Sequence, residues 1–174
     1  MGAPGANCSA WRYNEDMSEI YIVIFLLAGQ AYCIPVASVQ EIQGYHAHPP
    51  PRPVPDSSSL FEGIIDLRGQ VVSVLDLQRR FGLGQIVPSR KTCYIIIDTG
   101  YDRVGLLVDA VLEVQRVGEQ SFQPPPARMR LPISRDCVSG VGKLQSKSAD
   151  RESERLVVLL EVDKLISQEE LSAT

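Results

Sequence analysis

Residues 61–77, FEGIIDLRGQVVSVLDL, contain two apolar runs separated by a short polar link, Asp-Leu-Arg-Gly. Apolar and β-branched residues on both sides of a link that contains glycine are typical of a β-hairpin. The pattern predicts strands over residues 63–67 and 70–77, with Arg68 and Gly69 at the bend. The charged residues of the link need an explanation, since they could serve the turn, a reaction or a partner.

Short runs of Val, Ile and Leu, bounded by Gly, Pro, Asp and Ser, recur along the rest of the chain. The second half repeats the first: VASVQEIQ (36–43) resembles VDAVLEVQ (108–115), and VLDLQR (74–79) resembles LLEVDK (159–164). Each half supplies about five strands, which are too few to bury a good core alone. The expected fold is mainly all-β, with two small five-stranded barrels side by side, short helical turns and a C-terminal helix over residues 162–171.

Composition excludes several classes of function. The 174 residues include 17 Lys+Arg and 21 Asp+Glu, and the net charge of −4 gives no reason to expect nucleic-acid binding. The longest apolar run, residues 20–29, is about half the length of a membrane-spanning helix, so no membrane insertion is expected. Residues 1–18 lack the features of a secretory signal and read as a disordered lead-in. A cytoplasmic protein is expected.

Neither the cysteines nor the histidines form a pattern typical of a metal site. His46 and His48 precede three prolines and have no acidic or sulfur ligand nearby, which favours a solvated loop. No C-x-x-C pair occurs among the four cysteines, Cys8, Cys33, Cys93 and Cys137. Buried free thiols are the better interpretation, so no metal and no cofactor is expected.

One motif resembles a catalytic loop. Asp98-Thr99-Gly100 follows an apolar strand, as in aspartic proteases, whose chemistry needs two carboxylates sharing a proton. The chain contains a single copy, so a protease would have to be a homodimer. The alternative is a hairpin turn, because Asp favours the first turn position and Gly tolerates positive φ. In the second case residues 104–117 form the return strand, which bends.

The proline-rich loop, residues 46–59, also allows two interpretations. Pro50-Pro51-Arg52-Pro53 satisfies P-x-x-P, a pre-extended ligand for aromatic grooves. The other interpretation, which we favour, is a stiff surface connection. A free-standing SH3-like peptide binder is a further alternative for the whole chain.

Several segments together, in their order and spacing, resemble the CheW-like family of chemotaxis adaptors. They cover roughly residues 19–166, and they are VQEI (39–42) with GY (44–45), GIIDLRG (63–69), VVSVLDL (71–77), VGLLVD (104–109), VSGVG (138–142) and LVVLLEVDKLI (156–166). The resemblance implies two SH3-like barrels with a groove between them, over residues 19–167. We place lobe one at about 19–90, lobe two at about 91–167, and a tail at 168–174.

The resemblance also implies a function. Members of the family are non-catalytic, and they couple the cytoplasmic signalling tip of chemoreceptors to the regulatory domain of a CheA-type histidine kinase. That domain is itself built like the adaptor, and assembly into rings with it is suggested by the family. A system that controls surface behaviour fits as well as one that controls swimming.

The family pattern assigns roles to individual residues. Glu41 and Arg68 match a glutamate and an arginine that are understood to form a salt bridge, and the alternative is a solvated turn arginine. Val39 matches a position implicated in receptor contact, and we expect it to be exposed beside the groove. Gly63 and Gly69 are expected to serve the backbone geometry of the hairpin.

One departure from the family pattern bears on this pair. Asp66 stands where the family usually has Asn ahead of Leu-Arg-Gly, which adds a negative charge beside Arg68. The new carboxylate could compete with Glu41 for the arginine.

Overall fold

The hairpin over residues 61–77 lies in one of two sheets that form the fold. The computed structural model describes residues 19–55, 59–131, 133–146 and 153–166. One-turn helices, α1 (Leu77–Arg80) and α2 (Val162–Leu165), follow the fifth and the eleventh strand. The strands are β1 (Glu19–Leu27), β2 (Gln30–Pro35), β3 (Val39–Gly44), β4 (Phe61–Leu67), β5 (Gln70–Asp76), β6 (Cys93–Asp98), β7 (Arg103–Val108), β8 (Ala110–Gly118), β9 (Phe122–Gln123), β10 (Val138–Gln145) and β11 (Glu154–Leu160).

Each sheet combines strands from both halves of the chain. The first sheet has the order β8-β1-β2-β11-β10-β9, and the second has the order β3-β6-β7-β5-β4. When each strand of the first half is matched to its repeat in the second, the two orders are the same apart from the short β9. The edge strands β3 and β8 carry the repeated sequence, and each pairs with the first hairpin of the other half. The two repeats therefore exchange their first hairpins.

The two SH3-like barrels consequently do not divide at the boundary between residues 19–90 and 91–167 that the sequence predicts. The first barrel draws β1 and β2 from the first half, and the second draws β6 and β7 from the second half. Parallel pairs, β2 with β11 and β5 with β7, join the halves. A repeat shows which segments are alike, but not which copy a hairpin pairs with. The predicted lead-in, residues 1–18, and the tail, residues 168–174, lie outside the described residues.

Strand β1 is buried on both faces, which explains its uninterrupted apolar sequence. Ile22 and Ile24 point into the first barrel, whereas Val23 and Phe25 belong to a larger core. That core fills the second barrel and continues across the contact between the barrels, where the rings of Tyr32 and Phe81 lie 5.7 Å apart. The apolar contact holds the two barrels together.

The strand predicted over residues 104–117 is two strands in different sheets. Asp109 separates β7 from β8, and its backbone N–H donates to the carbonyl of Leu26 at 3.1 Å. Its carboxylate accepts the backbone N–H of Ala28 at 2.7 Å and the side-chain amide of Gln78. These bonds fix the crossing from the second barrel to the first. The C-terminal helix, predicted over residues 162–171, is only one turn long: it ends at Leu165, because the backbone of Ile166 is already extended. Residues 167–171 lie outside the described residues.

Candidate functional site

The predicted salt bridge between Arg68 and Glu41 is present in the structure. Arg68 and Gly69 form the two-residue turn between β4 and β5, with φ values of 52° and 82°, as in a type I′ turn. One guanidinium nitrogen, Nη2, donates to both carboxylate oxygens of Glu41 at 2.6 Å. Asp66 does not take the arginine: its Oδ1 accepts the backbone N–H of Gly69 at 2.7 Å and stabilises the turn.

The pair lies at the surface. The Arg68 side chain is 69% exposed and that of Glu41 is 21% exposed, so water screens the interaction. The bond from Arg68 holds the pKa of Glu41 below its usual value, against an opposite effect of partial burial, and a bond from Gln43 adds to the lowering. Glu41 is therefore held in its charged form. A strongly charged, solvent-accessible pair is well placed to meet a partner.

The pair also closes the second barrel. Glu41 lies on the edge strand β3, and Arg68 lies at the end of the strands on the opposite edge. The repeat places Glu113 and Gln145 at the positions of Glu41 and Arg68 in the first barrel. There the side chain of Gln115, which matches Gln43, donates to the backbone carbonyl of Gln145 at 2.8 Å. The first barrel is therefore joined near this point by an amide-to-carbonyl bond, and the second barrel is joined by a charged pair. The ion pair between Arg68 and Glu41 therefore distinguishes the second barrel from the first.

Val39 is half-buried and packs against the larger core, whereas we expected it to be exposed. Side chains alternate along β3, so Val39, Glu41 and Gln43 share one face, which is turned partly inward. Ile42 on the opposite face is 38% exposed. An apolar residue at an edge strand could not be assigned to either face from the sequence.

Gly63 and Gly69 serve the backbone in different ways. Gly69 completes the turn, and a Cβ there would meet nothing within 4 Å. Gly63 lies not in the turn but at an irregularity of β4, with φ of 139°. A Cβ at Gly63 would lie 2.1 Å from the carbonyl oxygen of Arg52. Gly63 therefore allows the proline-rich loop to lie directly against β4.

Asp98 belongs to a hairpin turn. One of its carboxylate oxygens accepts the backbone N–H of Gly100 at 2.8 Å, and the other accepts the side-chain amide of Gln40 at 3.1 Å. Gly100 has φ of 86°, the conformation that the turn interpretation requires. The carboxylate is used within the chain to fix the turn between β6 and β7 and to hold β3.

The described cysteines are free thiols, and both histidines make hydrogen bonds within the chain. Cys33 and Cys137 are buried, and burial raises the pKa of the Cys33 thiol. His46 contacts the carbonyl of Ser89, and His48 contacts the side-chain oxygen of Gln43 at 3.3 Å. In the described part of the chain, no group of three His, Cys, Asp or Glu side chains could hold a metal ion. Within the same ranges, no helix is both long and apolar enough to span a bilayer.

Gln43 and His48 were missed by the sequence analysis. Gln43 donates to Glu41 at 3.2 Å and accepts from His48, so a chain of hydrogen bonds runs from the charged pair to the proline-rich loop. The repeat contained a signal for the glutamine, since Gln115 matches it and also bonds the adjacent glutamate, Glu113. Nothing in the sequence indicated the histidine.

Comparison with known proteins identifies the family. The CheW-like domain matches residues 21–170. The chain belongs to the CheW-like domain family. It is 29% identical to the chemotaxis protein CheW of Klebsiella aerogenes over 91% of this chain and 88% of that protein. It is 28% identical to CheW of Rhizobium meliloti over 87% and 90% of the two chains.

A solved structure agrees with this CheW-like assignment. The crystal structure of the scaffolding protein TtCheW from Thermoanaerobacter tengcongensis superimposes with a TM-score of 0.73 at 28% sequence identity. The match covers 91% of this chain and 94% of TtCheW. The predicted class of fold, two SH3-like β-barrels, and the predicted family are confirmed.

Proposed function

We propose that this CheW-like chain is a non-catalytic adaptor that couples the signalling tip of a chemoreceptor to the regulatory domain of a CheA-type histidine kinase. The observation that carries the proposal is the family match over residues 21–170. The relatives are chemotaxis proteins by name, and the solved neighbour is a scaffolding protein. Such an adaptor is cytoplasmic and is recruited to membrane-bound receptor arrays, in a pathway for swimming or for surface behaviour.

The charged pair supports a role in binding at Arg68. A non-glycine residue in the left-handed region costs about 1 kcal/mol relative to glycine, and Arg68 has φ of 52°. The turn by itself would favour Gly or Asn at this position. The exposed arginine side chain, held by Glu41, explains why the turn keeps a residue other than glycine despite this cost. We therefore assign Glu41 and Arg68 to the partner surface. Val39 packs against the core and so supports the strand that carries Glu41. The proposal also includes the assembly of this adaptor and the kinase regulatory domain into rings.

The test is binding of the purified protein to two probes from the same genome: a receptor signalling fragment and the kinase regulatory domain. We expect the wild type to bind both, and Arg68→Gly to lose at least about tenfold in affinity for one of them. Glycine relieves the positive φ of the turn, which offsets the loss of the exposed ion pair, so this variant should unfold at about the wild-type temperature. Failure of the wild type to bind either probe would refute the proposed function, and normal binding by the folded variant would remove Arg68 from the site.

A further inference from the structure

The proline-rich loop is fastened to the hairpin that carries Arg68. Arg52 and Ile64 exchange two backbone hydrogen bonds, at 2.8 and 2.9 Å, and form a bridge to β4. Gly63 allows this close approach, and His48 holds the start of the loop to Gln43 on β3. The segment Pro50-Pro51-Arg52-Pro53 is thus packed on its own domain, which disfavours the free P-x-x-P interpretation.

Between the loop and the hairpin lies a pocket of about 260 Å³. Pro49 and Pro50 form one side, and Ile64 with Val71 lies on the other. Val71 is 62% exposed, although it is a large apolar side chain on a strand. An apolar pocket with an exposed apolar side chain at its mouth is suited to receive an apolar side chain from a partner.

Two charged groups also line the pocket and restrict the partner. Among the described residues, nothing pairs with the exposed Arg52 guanidinium, although its backbone is bonded to β4. Asp66 has one carboxylate oxygen committed to Gly69. The free cation therefore favours a partner that carries a carboxylate next to its apolar side chain.

The partner cannot add as a strand at this point of β4. Strand addition needs free backbone groups at the sheet edge, and the N–H and C=O of Ile64 are both bonded to Arg52. The occupant must enter through a side chain, as a helix does when it inserts one residue into a pocket. The family resemblance implies that, of the two partner classes in the proposed function, the receptor tip is helical, whereas the kinase domain is built like the adaptor.

We propose that the pocket between the proline-rich loop and the β4–β5 hairpin receives an apolar side chain of the receptor helix, with Arg52 binding an adjacent carboxylate. This inference rests on the proposed function and names a subsite of it. The hydrogen-bond chain from Glu41 through Gln43 to His48 joins the subsite to the charged pair. The loop and Arg68 thus form one continuous surface for the receptor.

The test compares Val71→Gln with Val87→Gln, using the receptor signalling fragment and the kinase regulatory domain as separate probes. Glutamine is neutral and avoids repulsion with Asp66, which lies directly opposite Val71 in the hairpin. Val87 is 84% exposed and does not line the pocket, so it is a matched control. We expect Val71→Gln to weaken receptor binding about tenfold or more, with kinase binding and melting temperature unchanged, and Val87→Gln to change neither.

A second pair of variants tests the charge. Arg52→Glu should weaken receptor binding and reduce its dependence on salt, whereas Arg90→Glu, an exposed arginine outside the pocket, should not. Receptor binding that is unchanged in Val71→Gln and in Arg52→Glu would overturn the inference while leaving the proposed function intact. Loss of kinase binding instead would assign the pocket to the other partner and would also overturn it. A wild type that binds neither probe would refute the proposed function itself.

Discussion

At the scale of single residues, Arg68 shows why the charged link in the hairpin is retained. The turn needs only two residues that tolerate positive φ, and Asp66 stabilises it by accepting the N–H of Gly69. The arginine does something different, since its side chain leaves the turn and joins Glu41 on the far edge of the sheet. The aspartate serves the fold, and the arginine serves barrel closure and, in our proposal, the partner.

The charge of Glu41 gives a prediction for pH dependence. Its pKa in the folded protein lies below the ordinary value of 4.5, chiefly because Arg68 donates to it. Stability from a lowered carboxyl pKa is present above the ordinary value and is lost as the pH falls through the folded value. Arg68→Gln should therefore lower stability near neutral pH but not in acid, once Glu41 is protonated.

NMR titration of the Glu41 side chain measures this directly. In Arg68→Gln the pKa of Glu41 should rise towards 4.5, and the control Arg90→Gln should leave it at the wild-type value. An identical titration of Glu41 in wild type and Arg68→Gln would show that the bond is not formed in solution.

At the scale of elements, the sequence predicted most strands and the hairpin over residues 61–77, but not how the hairpins pair with strands of the other half of the chain. Residues 63–67 and 70–77 agree with β4 and β5, because alternating apolar residues and a two-residue turn are local signals. The change of sheet at Asp109 was not predictable, because apolar residues continue on both sides of it and only a single charged residue interrupts them. Its hydrogen bonds reach Ala28 and Gln78, which are remote in sequence.

The sequence also predicted only part of the candidate site. The family pattern identified Glu41 and Arg68, and the structure brings them together. Burial of Val39 was not predicted, because an edge strand with alternating residues does not reveal which face turns inward. The contribution of His48 was also missed, since its contact with Gln43 depends on the path of the proline-rich loop.

The two glycines of the hairpin provide a prediction about packing between elements. Gly63→Ala should lower the free energy of unfolding by about 2–3 kcal/mol or more, because the new Cβ would need positive φ and would collide with the carbonyl of Arg52. Gly69→Ala has the same backbone problem but open space, so about 1 kcal/mol is expected. Urea unfolding of both variants provides the comparison, and equal losses would contradict the close packing of the loop on β4.

At the scale of the whole molecule, the exchange of hairpins makes the barrels interdependent. β1 pairs with β8, and β2 pairs with β11, so the first barrel cannot form without both halves of the chain. β3 pairs with β6 in the second barrel, with the same consequence. If each half of the chain formed its own barrel, each half would contain all the strands of that barrel and could fold alone. The partner surface built from β3, the hairpin and the proline-rich loop is therefore held in place by β6 and β7 of the other half.

This interdependence is tested by cutting the chain between the repeats. A protease site inserted between Val87 and Pro88, both exposed, would separate β1–β5 from β6–β11. After cleavage we expect the two pieces to co-elute as one folded species with a single cooperative thermal transition, and each piece to be unfolded once separated in urea and returned to buffer alone. Remixing the pieces should restore the circular dichroism spectrum of a β protein. A single piece that unfolds cooperatively by itself would show that its strands pair within one half, contrary to the sheet orders of the two barrels.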